Sequence, residues 1–156
     1  MSGSTIRLQV AVSYGVPRRG LPAASSFRKW ATATLSGHLP EAELAIRIVD
    51  SEEGRALNHR YRGKDYPTNV LSFPAELPED VTIPLLGDLA LCAPVIADEA
   101  TQQHKPLNAH YAHLTVHGLL HLLGWDHRTP PEAETMEQRE RDILASLGIP
   151  DPYLEY

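Results

Sequence analysis

The order of apolar and polar residues predicts four strands within the first 92 residues. Residues 6–14, IRLQVAVSY, alternate in polarity and are rich in residues that favour strands. Three shorter runs also predict strands: ELAIRIVD at 43–50, TNVLSFP at 68–74 and GDLALC at 87–92. Pro74 ends the third strand, since proline has no N–H to donate to a sheet. The proline-rich residues 74–87 are expected to form a loop.

Five helices are predicted between and after these strands. Asp50 with Glu53, and Thr129 with Glu132, have the spacing of helix N-terminal caps, in which a side-chain oxygen accepts a backbone N–H of the first turn. The predicted helices span residues 25–39, 51–62, 93–104, 107–123 and 129–148.

The helix at 107–123, LNAHYAHLTVHGLLHLL, is apolar on nearly every face. A helix without a polar face is expected in the centre of a domain. Gly124 is placed to end it in the left-handed conformation, which turns the chain sharply. Because strands come early and helices mostly late, the predicted fold class is α+β: a small mixed β-sheet packed with helices around this central buried helix.

The composition indicates one globular domain across residues 1–156. Apolar residues make up 42% of the chain and charged residues 22%, which are ordinary proportions. The single Cys92 cannot form an internal disulfide, and the N-terminus has no apolar signal region. The apolar run LALCAPVIA at 89–97 is about half the length of a membrane span. We therefore expect a soluble, cytoplasmic protein without a membrane partner.

The net charge of −6 argues against a sequence-independent DNA-binding protein, because such proteins neutralise many phosphates with lysine and arginine. No DNA partner is expected. Short basic clusters are still present, at Arg18–Arg19, at Arg28–Lys29 and at Arg60, Arg62 and Lys64.

The segment HGLLHLLGWDH, residues 117–127, has the spacing of a zinc-binding helix and turn. His117 and His121 are four residues apart, so they share one face of the helix, and their imidazoles can converge on one ion. A third ligand comes more easily after a chain reversal, which Gly124 supplies for His127. The spacing therefore predicts a metal site on these three histidines.

Other arrangements of the histidines and of the fourth ligand remain open. His113, His117 and His121 would form a helical row of ligands, although that row leaves the turn unexplained. Three neutral ligands leave a zinc position open for catalysis, whereas a closed structural site would need a fourth protein ligand. The candidates for that ligand are Cys92, Asp126 and Asp88.

Three further residues are candidates for supporting the site rather than binding the ion. Asp126 adjoins His127 and is favoured as a group that hydrogen-bonds and orients an imidazole, with an ordinary turn aspartate as the alternative. Asp88 follows Gly87 at a strand start and is a candidate for the border of the site, with an ordinary strand-start aspartate as the alternative. His113, with His110, is expected to contact the ligands from behind or to line the mouth of the cleft.

Gly118 occupies the position at which metalloproteases of this spacing carry a glutamate general base. Peptide hydrolysis is therefore the weaker hypothesis, since glycine cannot deprotonate the attacking water. A phosphodiester makes different demands, because a metal ion and a guanidinium best stabilise the charge on its oxygens. Arg60, Arg62 and Lys64 offer such cations, unless they are only the exposed cationic end of a helix.

Several motifs together resemble the YbeY family of bacterial rRNA maturation factors, which are zinc-dependent endoribonucleases. The main three are LNHRYRGKDYPTNVLSFP at 57–74, LLGDLALC at 85–92 and HGLLHLLGWDH at 117–127. The resemblance extends to KPLNAHYAHLTVHG at 105–118 and to DPY at 151–153, so it covers most of the chain from about residue 44.

The resemblance implies one Zn²⁺ per chain, bound by His117, His121 and His127, and a functionally important arginine at Arg62. It implies a substrate of single-stranded RNA and a role in maturing the 3′ end of small-subunit rRNA and in ribosome quality control. The implied partners are the small ribosomal subunit, a small-subunit ribosomal protein and an assembly GTPase.

Two residues depart from the commonest pattern of the family. Trp125 stands where tyrosine is usual, and Asn69 where aspartate is frequent, so no general base is assigned to residue 69. Whether the nucleophile is water or the RNA 2′-hydroxyl stays open. A ribosome-assembly factor with a structural zinc and little catalysis is the alternative function, favoured by the low basic content; a metalloprotease is the third.

Overall fold

The computed structural model describes residues 6–154, which form a four-stranded sheet and five helices. The strands are β1 Arg7–Tyr14, β2 Glu41–Val49, β3 Val70–Pro74 and β4 Leu85–Cys92. The helices are α1 Ala24–Leu35, α2 Ser51–Arg62, α3 Ala93–Gln102, α4 Leu107–Leu122 and α5 Pro130–Ser146. The predicted α+β class is confirmed.

The sheet is mixed and has the strand order β1-β2-β4-β3. The first three strands in this order are parallel, whereas β3 is antiparallel to β4, with Ser72 opposite Leu89. Parallel neighbours require long connections, and α1 lies in the connection between β1 and β2. The order leaves β3 at one edge of the sheet.

β4 begins at Leu85, two residues earlier than the sequence predicted. Leu85 pairs with Glu43 of β2, and the register then shifts so that Gly87 pairs with Leu44. Gly87 has φ +147°, and a β-carbon there would lie 2.3 Å from the carbonyl oxygen of Phe73. Only glycine allows β3 and β4 to approach this closely.

The two predicted caps are confirmed. The Asp50 side chain accepts a hydrogen bond of 2.8 Å from the Glu53 backbone N–H and begins α2. Thr129 and Glu132 form a complete capping box at the start of α5. These local signals fix where two of the helices begin.

Helix α4 packs against α1, α3 and α5 and against strands β3 and β4. Tyr111 and Leu119 are fully buried, and the Tyr111 ring meets Phe27 of α1 edge-on, with centroids 6.1 Å apart. These contacts cover most of the helix surface, which accounts for its nearly continuous apolar sequence. Within residues 6–154, no helix is long and apolar enough to cross a membrane.

Candidate metal centre

The turn after α4 brings a third histidine back towards the two on the helix. Gly124, at φ +100°, donates its N–H to the His121 carbonyl at 2.9 Å, and Trp125 donates to the Leu120 carbonyl at 3.0 Å. These two bonds form a Schellman motif, in which a left-handed residue ends a helix and reverses the chain. His127 follows three residues later.

His117, His121 and His127 form a compact cluster. One ring nitrogen of each lies within 4.8 Å of the other two, and the Nε2 atoms of His117 and His121 are 3.2 Å apart. Two nitrogens bound tetrahedrally to zinc at 2.0–2.1 Å would be separated by about 3.3 Å. The donor set and its spacing therefore fit a zinc ion without rearrangement of the α4 pair.

The His121 imidazole is held in the form that a metal requires. Burial lowers the pKa of His121, and the neighbouring His117 and His127 lower it further. A depressed pKa favours the neutral imidazole, which has a lone pair to donate.

Gly118 faces the sheet, which explains why no larger residue stands there. A β-carbon at this position would lie 2.9 Å from Leu89 Cδ2 and 3.2 Å from Val70 Cγ2. Ser72 Oγ also donates to the Gly118 carbonyl at 3.0 Å. The position used for a general base in metalloproteases is thus a close contact between α4 and the sheet.

A buried carboxylate, Glu140 of α5, lies behind the histidines. Its side chain is about 1% exposed; Oε2 lies 2.9 Å from His117 Nδ1, and Oε1 lies 2.6 Å from both His113 Nε2 and the Tyr153 hydroxyl. Burial raises the pKa of Glu140, but the hydrogen bonds from His113 and His117 outweigh it and lower the pKa to about 2. The ionised carboxylate only accepts hydrogen bonds, so His117 carries its proton on Nδ1 and leaves Nε2 free.

Glu140 is not among the site residues predicted from the sequence, although the chain contains a signal for it. Met136, Glu140, Ile143 and Leu144 are all buried and follow one another at helical spacing along α5. A carboxylate in the apolar stripe of an amphipathic helix requires hydrogen-bond partners across the interface, because an unpaired buried charge is very unfavourable. The sequence alone does not identify those partners.

His113 lines the same cleft as the three clustered histidines but is not part of the cluster. Its Nε2 atom is directed at Glu140 instead, so the alternative row of His113, His117 and His121 does not form. His110 is buried and contacts Glu99 at 2.9 Å.

Asp126 lines the cleft without orienting an imidazole, which corrects the expected role. Its Oδ1 accepts the backbone N–H of His127 at 2.7 Å, and its Oδ2 pairs with Arg128 at 2.8 Å. Because its side chain is short, an aspartate in a tight turn commonly accepts a hydrogen bond from a backbone N–H of the same turn. Asp126 therefore has the alternative role considered for it, that of an ordinary turn aspartate.

Asp88 does not line the cleft, so of its two considered roles the structure favours the strand-start aspartate over the border of the site. Leu89 packs against Gly118 of α4, and successive side chains of a strand point to opposite faces, so Asp88 is directed away from α4 and is exposed. Cys92 is buried near α2, with Sγ 3.6 Å from the Asp50 carbonyl oxygen. Among residues 6–154, the metal-ligand cluster contains only the three histidines.

A cleft of about 990 Å³ opens in front of the histidine cluster. Strand β3 lies along it, and Arg62 and Tyr61, at the end of α2, also line it. Arg62 therefore faces the same space as His117 and His121.

The position of Arg62 is set by the end of α2. Gly63 is left-handed, at φ +71°, and ends the helix directly after Arg62. Asn58 is fully buried, and its Nδ2 donates to the Tyr66 carbonyl at 2.7 Å, which holds the following turn against the helix. Arg62 itself is exposed, and no carboxylate in residues 6–154 pairs with it.

Comparison with known proteins shows the family of this chain. The family profile described as Endoribonuclease YbeY matches residues 22–148. The chain belongs to this family. Relatives named Endoribonuclease YbeY from Stenotrophomonas maltophilia K279a and Xanthomonas axonopodis pv. citri are each 66% identical to it, over 98% of both chains. A YbeY relative from Xylella fastidiosa M12 is also 66% identical, over 99% of this chain and 98% of its own.

The fold resembles the solution structure of TM1509 from Thermotoga maritima. The TM-score is 0.59 at 20% sequence identity, with 94% of this chain and 100% of that chain covered. At this identity the similarity concerns the fold alone. The YbeY relatives, in contrast, match nearly the whole sequence, so the three clustered histidines and the Arg62 segment lie within the matched region.

Proposed function

We propose that this chain is a zinc-dependent endoribonuclease that cleaves single-stranded RNA during maturation of the 3′ end of small-subunit rRNA. Its membership of the YbeY family supports the endoribonuclease class. The observation that carries the proposal is one cleft lined both by three imidazoles that could hold a metal ion and by Arg62, which has no carboxylate partner in the described part of the chain.

His117, His121 and His127 would hold one Zn²⁺ at the floor of the cleft. Zinc bound there supplies Lewis acidity towards a phosphodiester oxygen. Arg62 has no carboxylate partner among residues 6–154 and faces the same space, so its guanidinium can bind the phosphate by two parallel hydrogen bonds. Its charge also stabilises the negative charge that grows on the phosphate oxygens during cleavage.

The walls of the cleft favour an unpaired strand. Tyr61 is 57% exposed beside Arg62, and Tyr153 lies on the cleft next to His113. Unstacked bases pack on such rings, whereas bases within a duplex are already stacked and inaccessible. A cleft with aromatic side chains next to a phosphate-binding arginine therefore suits single-stranded RNA.

Metal removal tests the enzymatic proposal. We expect the purified protein to cleave an RNA fragment that carries the 3′ end of small-subunit rRNA, to lose this activity with a chelator and to regain it with Zn²⁺. The control is His121→Ala prepared in the same way, because contaminating nucleases would survive this substitution. A variant that cuts as well as the parent would show that the histidine cluster is not the source of the activity.

One observation favours a second function, a ribosome-assembly factor that binds but hardly cleaves. The chain has a net charge of −6, and a freestanding nuclease would profit from a basic groove. The small ribosomal subunit, one of its proteins or an assembly GTPase would then present the RNA, which would place the protein in the cytoplasm. Stable association of the His121→Ala variant with ribosomal particles, combined with no cleavage by the parent, would support this function instead.

A further inference from the structure

The segment Asp151–Tyr153, which follows α5, folds back onto the metal centre. Lys105 Nζ donates to the Pro152 carbonyl, and Arg141 Nε pairs with Asp151 Oδ2 at 3.1 Å. Asp151 Oδ1 also accepts the Tyr153 backbone N–H at 2.8 Å. Lys105 lies in the loop before α4 and Arg141 lies in α5, so contacts from two separate parts of the chain fix the place of the Tyr153 side chain.

The Tyr153 hydroxyl reaches the buried carboxylate behind the histidines. It donates to Glu140 Oε1 at 2.6 Å, and its ring meets the His113 ring edge-on, with centroids 5.3 Å apart. His113 Nε2 contacts the same Oε1 atom at 2.6 Å. With Oε1 held by two donors, the carboxylate has one orientation, in which Oε2 faces His117 Nδ1 at 2.9 Å.

We propose that Glu140 is a positioning residue for the metal ligand His117, and that Tyr153 and His113 hold Glu140 in place. The C-terminal segment is thereby part of the metal site, although it contributes no ligand. A metal-binding histidine commonly donates its second N–H to a carboxylate, which fixes the ring orientation and raises its basicity. Here the carboxylate is itself oriented by a tyrosine from a separate segment. This inference rests on the metal site of the proposed function.

Metal affinity of the whole chain provides the test. The dissociation constant for Zn²⁺ would be measured by competition with a chromophoric chelator, and the visible absorption of bound Co²⁺ would report the ligand geometry. Unfolding of the metal-free protein would be followed in parallel. The variants are Glu140→Gln, which keeps the size of the side chain, and Tyr153→Phe, which removes only the hydroxyl.

Two substitutions serve as matched controls. Glu134→Gln changes an exposed glutamate on the same helix, and Tyr66→Phe removes the hydroxyl of a tyrosine that is 53% exposed. Neither residue lines the cleft. Both controls should bind Zn²⁺ and Co²⁺ as the parent does.

We expect Glu140→Gln to weaken Zn²⁺ binding about 10- to 100-fold and to alter the Co²⁺ spectrum. Tyr153→Phe should weaken binding about two- to tenfold, the range for one hydrogen bond. If Glu140→Gln does not fold, Tyr153→Phe decides the question, because its partly exposed ring stays in place. Parental affinity and spectrum in the folded variants, with only unfolding changed, would show a purely structural role and overturn the inference.

The two proposals fail in different ways. A parent protein that binds neither Zn²⁺ nor Co²⁺ would contradict the proposed metal site and, with it, the positioning role. A parent that binds metal at the three histidines, with unchanged binding in Glu140→Gln and Tyr153→Phe, would contradict only the role given to Glu140 and Tyr153.

Discussion

Gly118 shows how a single residue separates this site from that of a metalloprotease. The carboxylate that a protease needs would have to leave α4 at the point where the helix touches Leu89 and Val70. A longer side chain at this position would have to displace Leu89 and Val70. The close contact in turn places the helix, and with it His117 and His121, directly beside β3.

We predict that Gly118→Ala destabilises the fold despite the better helix propensity of alanine. The added methyl group would overlap Leu89 and press on Ser72, and such overpacking costs about 1–3 kcal/mol, against about 1 kcal/mol gained from propensity. Urea unfolding of the metal-free protein measures the difference. Glu134→Ala, at an exposed site of α5, should stay within about 0.5 kcal/mol of the parent. An increase in stability for Gly118→Ala would mean that the sheet can move away.

Arg62 offers a second prediction at the scale of one residue. Arg62→Ala should lower the rate of RNA cleavage by about 10²–10³-fold, because the charge on the phosphate oxygens loses its guanidinium. The cleavage rate of Arg62→Lys should lie between those of the parent and Arg62→Ala, since an ammonium keeps the charge but not the paired hydrogen bonds. Single-turnover cleavage assays with equal zinc content would measure both.

Arg60 provides the matched control, because it is exposed and only two residues away but does not line the cleft. We expect Arg60→Ala to retain nearly all of the parental rate. Equal losses in Arg60→Ala and Arg62→Ala would indicate a general effect of charge and contradict a specific role for Arg62.

At the scale of elements, the way in which α4 ends determines the position of His127, the proposed third metal ligand. The Schellman motif at Gly124 stops the helix after His121 and redirects the chain, so that His127 approaches from a different side. The position has open space around it, since nothing lies within 4 Å of an ideal β-carbon there. Glycine is therefore required by the backbone conformation and not by packing.

We predict that Gly124→Ala lowers both stability and metal affinity. The left-handed conformation costs a non-glycine residue about 1–2 kcal/mol, and relief of that strain would displace His127. Gly148→Ala is the control, because Gly148 is also left-handed, at φ +76°, with open space around it, at the end of α5. Both variants should lose similar stability in urea unfolding, but only Gly124→Ala should lose Zn²⁺ affinity. Equal Zn²⁺ affinity in the two variants would refute the link between the turn and the ligand.

At the scale of the whole molecule, the chain has too little positive charge to attract RNA over a distance. Lysine and arginine together number 14, against 20 aspartates and glutamates. Arg62 is the only lysine or arginine among the described residues that line the cleft. Association should therefore depend on Arg62 and on a ribosomal partner that presents the strand.

We therefore predict a weak salt dependence of RNA binding. One or two phosphate contacts give a slope of about −0.7 to −1.4 for the logarithm of the association constant against the logarithm of salt concentration. Binding of single-stranded RNA to His121→Ala, which should not cleave, would measure it. Adding Arg62→Ala should make the slope shallower by about 0.7. A slope steeper than about −3 would reveal a basic surface that the proposal does not include.

The sequence by itself determined most elements, their caps and the three clustered histidines. Each depends on residues within a few positions of one another: Asp50 with Glu53, Thr129 with Glu132, and His117 with His121 across one helical turn. Such signals are local, so the spacing of residue types is sufficient to identify them.

Only the tertiary structure decided which groups surround those histidines. Glu140 meets His117 from 23 residues away, and Ser72 meets Gly118 from 46 residues away. These contacts depend on how α5 and the edge strand β3 pack against α4, which no local period specifies. The same packing directs Asp88 away from the cleft, whereas Asp126 hydrogen-bonds within its own turn. The carboxylate that contacts His117 is therefore Glu140, which lies outside the quoted motifs.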